Sequence, residues 1–269
     1  MTIIQPASTG ARNSLLLRAD ADGVATLTMN RSAQFNSLSA SLLAELQDAV
    51  DEIGSDRAIR VVVIAGAGKA YCAGHDLKEL RAHRDRHFAQ DVFGRFSRLM
   101  LSLTRLPQPV IARVHGTAFA AGCQLVAQCD LAVASTDATF ATSGINFGLF
   151  CSTPGVSLAR NVPRKRAFEM LVTGNSIDAG TALEMGLVNR VASPERLDDE
   201  VGGLAASVLD KSPVVVSAGK RLFYQQIEAD LEEAYRLATE AMVENMLTED
   251  AVEGIDAFAQ KRRPRWKNR

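Results

Sequence analysis

Two short loops of small residues are the parts of this chain whose composition could support chemistry. The first runs from Gly68 to Leu80 and reads GKAYCAGHDLKEL, and the second runs from His115 to Leu125 and reads HGTAFAAGCQL. Small residues let a ligand approach the backbone, and the start of a helix presents N–H groups that lack a partner within the helix. Two such junctions facing each other would form an oxyanion hole. The alternative is that the glycines only permit tight turns.

Two other patterns could indicate a cofactor or metal site, but in each of them particular residues argue against that function. The segment 66–69 resembles a phosphate-binding loop, but Tyr71 stands where the dinucleotide pattern needs glycine. His83 and His87 are spaced by one helical turn, yet the arginines between them would repel a cation. We therefore predict no metal site.

The composition is that of an ordinary globular protein. The chain has 269 residues, of which 47% are hydrophobic and 23% charged, and its formal charge of -1 argues against nucleic-acid binding. The four cysteines lack disulfide or zinc spacing, so we expect buried, reduced thiols. No apolar run approaches the roughly 18 residues of a membrane span, and residues 1–12 lack the apolar core of a signal peptide. We expect a cytoplasmic protein.

The elements that position the two loops follow from the apolar periodicity. A helix begins at Ser39 and ends at Gly54, with an apolar face made of Leu42, Leu43, Leu46, Ala49, Val50 and Ile53. The remaining predicted elements up to residue 191 are a hairpin at 15–29, strands at 59–65, 109–115 and 130–135, helices at 91–105, 164–173 and 178–185, and an extended piece at 187–191. From Pro194 onward the pattern is helical, which predicts a boundary near residue 200. The basic run 261–265 is typical of a solvated tail, although it could also hold phosphate.

Taken together, the motifs resemble those of the enoyl-CoA hydratase/isomerase (crotonase) superfamily. The first loop is similar to the signature segment of that family, and the second loop is similar to its partner segment. The similarity continues through Asp130, the Phe140 region, Pro154-Gly155, Gly174 and Gly186, and it ends at Trp266. The chain is most similar to the enoyl-CoA hydratase domain-containing branch, which lacks both catalytic glutamates of the ordinary hydratase.

The resemblance implies an α/β fold, the ClpP/crotonase-like spiral of repeated β-β-α units. Residues 14–200 would form the spiral core with an acyl-CoA site, and residues 201–269 a helical C-terminal region used in trimerisation. A homotrimer or a dimer of trimers is expected. No cofactor is implied other than the CoA that is part of the substrate.

The resemblance also assigns binding roles to residues of this chain. The backbone N–H groups of His75 and Ala121 match the oxyanion hole that polarises the thioester carbonyl. The positions matching the CoA-binding segments are Asn36, Leu38, Ala73, Gly74, Asp76, Leu77 and Lys78, with Phe258 and Lys261 reaching CoA from a neighbouring subunit.

The departure from the family lies in the acid–base residues. The two hydratase glutamates fall at Gln124, which can hold a water but cannot take its proton, and at Gly144, which offers no side chain. A positioned acid or base contributes roughly 10²- to 10⁴-fold, so we expect ordinary hydration to be weak or absent. His75, Cys151 and Ser152 remain open as alternative proton carriers or as passive residues. The other possibility is a non-catalytic acyl-CoA-binding or regulatory protein.

Overall fold

The structure is a computed structural model that describes residues 14–269, so the prediction for residues 1–12 lies outside it. The strands are β1 (Leu16–Ala21), β2 (Val24–Met29), β3 (Val61–Gly66), β4 (Ala70–Cys72), β5 (Val110–Val114), β6 (Thr117–Phe119), β7 (Leu131–Ser135), β8 (Thr139–Ala141), β9 (Ile177–Asp178) and β10 (Arg190–Ala192). The helices are α1 (Ala40–Ser55), α2 (Leu77–Ala82), α3 (Arg86–Arg105), α4 (Ala121–Gln128), α5 (Ser152–Asn161), α6 (Arg164–Thr173), α7 (Ala179–Glu184), α8 (Leu197–Leu209), α9 (Pro213–Gln226), α10 (Leu231–Met246) and α11 (Glu249–Ala259).

The larger sheet has the strand order β1-β2-β3-β5-β7-β10, and all its neighbouring pairs except β1–β2 are parallel. The β-branched run of β3 is buried on both faces, as a strand covered on both sides requires. Val62 and Ile64 pack in the main core with the predicted face of α1, whereas Val61 and Val63 pack against α8. Ser39 caps α1 as predicted, but the helix continues through Gly54 to Ser55.

The smaller sheet has the order β4-β6-β8-β9, in which β4, β6 and β8 are parallel and β9 is antiparallel. Each of its three parallel strands directly follows a strand of the larger sheet along the chain. β3 leads into β4, β5 into β6, and β7 into β8, and helices follow each pair. This repeat is the predicted β-β-α unit.

The helix α9 is attached to the core through a buried ion pair. Lys220 of α9 donates to Asp130 at 2.6 Å and to the backbone carbonyls of Leu103 and Gln108. Asp130 also accepts from Tyr224 at 2.7 Å and from the N–H of Val110 at 2.6 Å. Burial lowers the pKa of Lys220, and the attraction of Asp130 offsets this only in part. The predicted boundary near residue 200 falls inside α8.

The basic C-terminal segment is folded back along α11, and its basic residues at 261–265 are exposed, as expected of a solvated run. Glu253 accepts from both terminal nitrogens of Arg262 and from the backbone N–H of Arg265. The buried Asp250 accepts from the backbone N–H groups of Lys267 and Asn268. The acidic side chains of α11 therefore fix the path of the last residues.

No single helix within residues 14–269 is long and apolar enough to cross a membrane. One pair, Pro194–Leu209 with Pro213–Gln226, meets the length and composition test together but is bent by 102° at its break.

Candidate functional site

The two loops of small residues lie side by side at the carboxyl edge of the smaller sheet. β4 ends at Cys72 just before the first helical junction, and β6 ends at Phe119 just before the second. β8 ends at Ala141, which places Thr142 at the same edge. Ligands of open parallel sheets bind beyond the carboxyl ends of the strands, so this edge is the candidate site.

Glycines bring the two junctions into backbone contact. A Cβ atom on Gly122 would overlap the carbonyl oxygen of Cys72, and one on Gly74 would lie 3.3 Å from the backbone nitrogen of Ala121. Gly74 has a φ of +97°, whereas Gly122 lies inside α4 and its φ is outside the left-handed region. Gly122 is therefore required for close approach and not for a turn, so the glycines do more than permit tight turns.

Two backbone N–H groups are left free at this contact. His75 pairs with Leu38 as an isolated parallel bridge, in which Leu38 donates to Gly74 at 2.8 Å and Asp76 donates to Leu38 at 3.1 Å. The N–H of His75 takes no part in that pairing. Ala121 is the first residue of α4, whose start has no side-chain cap. Within the described residues neither N–H has an acceptor.

Ala120 holds the second junction in a strained conformation. Its φ of 49° and ψ of -116° are rare for a residue with a side chain, and such a conformation costs about 1–3 kcal/mol. Its N–H donates to the carbonyl of Ala141 at 2.8 Å, and its own carbonyl accepts from the N–H of Gln124 at 3.1 Å. These two hydrogen bonds connect Ala120 to the end of β8 on one side and to α4 on the other.

The imidazole of His75 packs against aromatic rings and not against a charged group. Its centroid lies 5.2 Å from that of Phe93 and 5.1 Å from that of Phe96, both in edge-on geometry. Neither ring nitrogen has solvent contact or a hydrogen-bond partner within residues 14–269. Burial lowers the pKa of His75 to about 4, although the backbone of Leu38 opposes the shift. The ring is therefore neutral at pH 7.

Two of the predicted CoA-binding residues have side chains committed to the fold. Asn36 is fully buried and donates to the carbonyls of Ala67 and Ala70, while its oxygen accepts from the N–H of Arg31. Asp76 caps α2 and pairs with Arg31 at 2.9 Å. Burial opposes ionisation of Asp76, but hydrogen bonds from Arg31 and two backbone N–H groups outweigh it and lower its pKa.

The remaining predicted CoA-binding residues differ in exposure. Ala73, Leu77 and Lys78 are exposed beside the first junction, whereas Leu38 and Gly74 are buried in it. Phe258 is 86% exposed at the end of α11, and Lys261 is exposed just beyond it with a φ of +53°. Their contact with a CoA bound to a neighbouring subunit stays a prediction.

The segment around Gly144 leaves no room for a side chain. A Cβ atom on Gly144 would lie 2.5 Å from the carbonyl oxygen of Leu149 and 2.8 Å from the sulfur of Cys151. Burial raises the pKa of the Cys151 thiol, and the backbone of Gly144 offsets this only in part. Ser152 is exposed, and its hydroxyl donates to the carbonyl of Phe150 at 3.3 Å. Neither residue is paired with a base, so neither is an activated nucleophile.

Two buried polar side chains near this edge of the sheet each have a polar atom without a partner in the described part of the chain. Gln124 is 3% exposed, and its Oε1 has no partner within the described residues. Thr142 is fully buried, and its hydroxyl likewise has none there. Sequence reasoning missed Thr142 because the three-residue strand that precedes it is too short to produce an apolar pattern.

The two histidines and the four cysteines considered in the sequence lie in different surroundings. His83 is the C-cap of α2 and His87 is the second residue of α3, so the two do not share one helix. Among residues 14–269 no group of three His, Cys, Asp or Glu side chains is placed to hold a metal ion. The four cysteines are free and buried, as expected.

Comparison with known proteins identifies the family. The model of the enoyl-CoA hydratase/isomerase family matches residues 19–269. The chain belongs to this family. The human enoyl-CoA hydratase domain-containing protein 3, mitochondrial, is 44% identical over 264 residues, which cover 97% of this chain and 87% of that protein. Its Xenopus laevis counterpart is 46% identical over 244 residues, which cover 91% and 83%.

Solved structures of the enoyl-CoA hydratase/isomerase family share the fold. An enoyl-CoA hydratase from Mycobacterium smegmatis is 55% identical, with a TM-score of 0.93 over 94% of this chain and 99% of that one. The human domain-containing protein 3 is 44% identical, with a TM-score of 0.92 over 94% and 100%. The predicted α/β spiral with C-terminal helices is thereby confirmed.

Replacing Gly144 by alanine is expected to lower the free energy of unfolding by about 1–3 kcal/mol, because the added methyl group collides with Leu149 and Cys151. Urea denaturation measures the change. Gly94→Ala in α3 is the matched control, since a Cβ there meets nothing within 4 Å, and it should be neutral or stabilising by up to about 1 kcal/mol. Equal urea midpoints for Gly144→Ala and the unmodified chain would contradict the crowding.

The imidazole of His75 is expected to titrate near pH 4 and not near pH 6.5. Because the unfolded chain binds a proton there below about pH 6.5 and the folded chain does not, stability should fall as the pH drops from about 6.5 to about 4. His75→Phe should lose less stability over that interval. NMR titration of the ring and thermal unfolding at several pH values test this, and a midpoint near 6.5 would disprove it.

Proposed function

We propose that this chain binds acyl-CoA thioesters and holds the thioester oxygen between the backbone N–H groups of His75 and Ala121. The observation that carries the proposal is that these two donors lack acceptors within the described residues and belong to junctions held in contact by glycines. A preorganised backbone donor contributes about 3 kcal/mol of stabilisation to a developing oxyanion. Because the donors belong to the backbone, the identity of the two side chains does not abolish them.

We propose further that the ordinary hydration of enoyl-CoA is weak or absent. Gln124 and Gly144 stand where the resemblance places the two glutamates, and an amide cannot accept a proton from water at neutral pH. The neutral ring of His75 and the raised pKa of Cys151 argue against either as a replacement base. The second candidate is a non-catalytic acyl-CoA-binding or regulatory protein. The crowding around Gly144 favours it, because that space is filled by backbone and a thiol.

The surface beside the first junction suits the phosphates of CoA. Lys78, Arg81, Arg84 and Arg86 are exposed on or between α2 and α3. Cations on this surface would attract an anionic nucleotide without a dedicated phosphate loop. We propose that Lys78 belongs to the CoA site, as the resemblance implies.

We propose that the chain forms a homotrimer or a dimer of trimers through α9 to α11. Large apolar side chains are exposed on and between these helices, among them Phe223, Leu231, Tyr235, Leu247 and Phe258. Large exposed apolar patches mark interaction sites, and we propose that these side chains form one. Sedimentation analysis of the purified chain is expected to give three or six copies, and a single copy at micromolar concentration would overturn the proposal. The cytoplasmic location stays a prediction, which cell fractionation tests.

Calorimetry is expected to detect binding of crotonyl-CoA, while its hydration by the unmodified chain proceeds slowly or not at all. Gln124→Glu should raise the hydration rate by restoring one proton acceptor, roughly 10²-fold if the acceptor is well positioned. Gln124→Leu is the matched control and should leave hydration at the basal rate. Gly144→Glu is expected to fail because its side chain has no space.

A thioether analogue of crotonyl-CoA, which lacks the carbonyl oxygen, tests the oxyanion hole by itself. We expect it to bind more weakly than the thioester. Fast hydration by the unmodified chain would refute the proposed deficiency, and equal affinity for thioester and thioether would refute the role of His75 and Ala121.

A further inference from the structure

Segment 31–38 runs beside the first junction and is paired with it through the backbone. The N–H of Leu38 donates to the carbonyl of Gly74 at 2.8 Å, and the carbonyl of Leu38 accepts from the N–H of Asp76 at 3.1 Å. His75 lies between these two hydrogen bonds, and its own N–H takes part in neither. The alignment of that N–H therefore depends on how firmly segment 31–38 is held in place.

The middle of this segment has a backbone conformation that needs support from its surroundings. Phe35 and Asn36 have φ values of 51° and 54°, so two consecutive residues with side chains lie in the left-handed region. Such conformations persist only where neighbouring groups hold them. The side chain of Asn36 holds the middle of the segment through its hydrogen bonds, and the next residue, Ser37, is held by a different side chain.

The guanidinium of Arg31 connects this segment to the first junction. Its Nη1 donates to the carbonyl of Ser37 and, at 3.1 Å, to the hydroxyl of Ser37, while its Nη2 donates to Oδ2 of Asp76 at 2.9 Å. The side chains of Arg31 and Asp76 are 15% and 14% exposed, so solvent ions screen this ion pair less than a surface pair. A planar guanidinium presents its donors in a fixed geometry, which sets the distance between the two residues that it binds.

Asp76 extends the connection into the first turn of α2. Its Oδ1 accepts from two backbone N–H groups of that turn, at 3.1 and 3.3 Å, while its Oδ2 accepts from Arg31. His75 is therefore fixed on one side by its pairing with Leu38 and on the other side by a capped turn that Arg31 holds.

We propose that Arg31 is a positioning residue that aligns the N–H of His75 with the thioester oxygen, acting through Asp76 and Ser37. This inference rests on the proposed acyl-CoA site, and it adds the side chain on which one donor of the oxyanion hole depends. A purely structural Arg31 would stabilise the fold without affecting the preference of the site for a carbonyl oxygen.

The test is calorimetric binding of crotonyl-CoA and of its thioether analogue to the full chain. The quantity to compare is the ratio of the two dissociation constants, because a general loss of CoA binding cancels in that ratio. Arg31→Gln is expected to reduce the preference for the thioester about three- to tenfold, which is what one misaligned hydrogen bond is worth. Arg31→Lys keeps the charge but has a single ammonium in place of the fork, so it should recover only part of the preference.

A second substitution tests whether Arg31 acts through Asp76. Asp76→Asn keeps a side chain that caps helices well but removes the charge that binds the guanidinium. It should reduce the preference as much as Arg31→Gln does, and the double variant should show no further loss, because both changes break the same connection.

Arg113→Gln is the matched control for the loss of a half-buried ion pair. Arg113 is 16% exposed and pairs with Asp198 of α8, outside the site. This variant is expected to lower the Tm and to leave the ratio of dissociation constants unchanged.

The remaining outcomes separate this inference from the function on which it rests. An unchanged ratio in Arg31→Gln, with a lower Tm or a parallel loss of both affinities, would overturn the positioning role and leave the acyl-CoA site intact. If Arg31→Gln does not fold, unchanged ratios in Arg31→Lys and Asp76→Asn would overturn it equally. Additive losses in the double variant would refute the route through Asp76. Equal affinity of the unmodified chain for thioester and thioether would refute the proposed oxyanion hole, and this inference with it.

Discussion

The contact between the Cα atom of Gly122 and the carbonyl of Cys72 is the constraint on which the site depends. It draws the start of α4 onto the end of β4, so that two strand-to-helix junctions share one edge of the smaller sheet. The second glycine of the pair, Gly74, meets Ala120 and Ala121 from the other side. A methyl group at either position would separate the junctions. The strained backbone of Ala120 is tolerated because bonds to Ala141 and Gln124 hold it on both sides.

The helices beyond the core are positioned by electrostatics more than by apolar packing. Lys220 is nearly enclosed, and all three of its hydrogen bonds go to the core. Removing one partner of such a pair leaves an uncompensated buried charge, which typically costs about 3–5 kcal/mol. The carboxylates of Asp250 and Glu253 hold the last residues of the chain by accepting hydrogen bonds from their backbone N–H groups. The apolar side chains of α10 are consequently left on the surface, where another copy of the chain could cover them.

Long periodic segments could be predicted from the sequence, and short ones could not. The six apolar residues of α1 and the β-branched run of β3 are buried as expected, because each spans enough residues to show a period. β4, β6 and β8 have three residues each and carry no such signal, although their ends define the site. The crowding at Gly144 depends on how the chain returns at Leu149 and Cys151, which no local pattern records. The path of the C-terminal residues could not be predicted either. The carboxylates of Asp250 and Glu253 that bind these residues lie on one side of the chain only after α11 has formed.

The filled space at Gly144 also constrains the history that this sequence can have. A carboxylate at residue 144 needs the chain between Leu149 and Cys151 to move away first. A larger side chain at residue 144 alone would distort the loop at Leu149 and Cys151, and a displaced loop alone would leave an empty space beside Gly144. Only both changes together would accommodate the larger side chain. The order of mutations is thus imposed by sterics. Residue 144 and the segment 149–151 are therefore coupled sites, at which the effect of one substitution depends on the residues at the other.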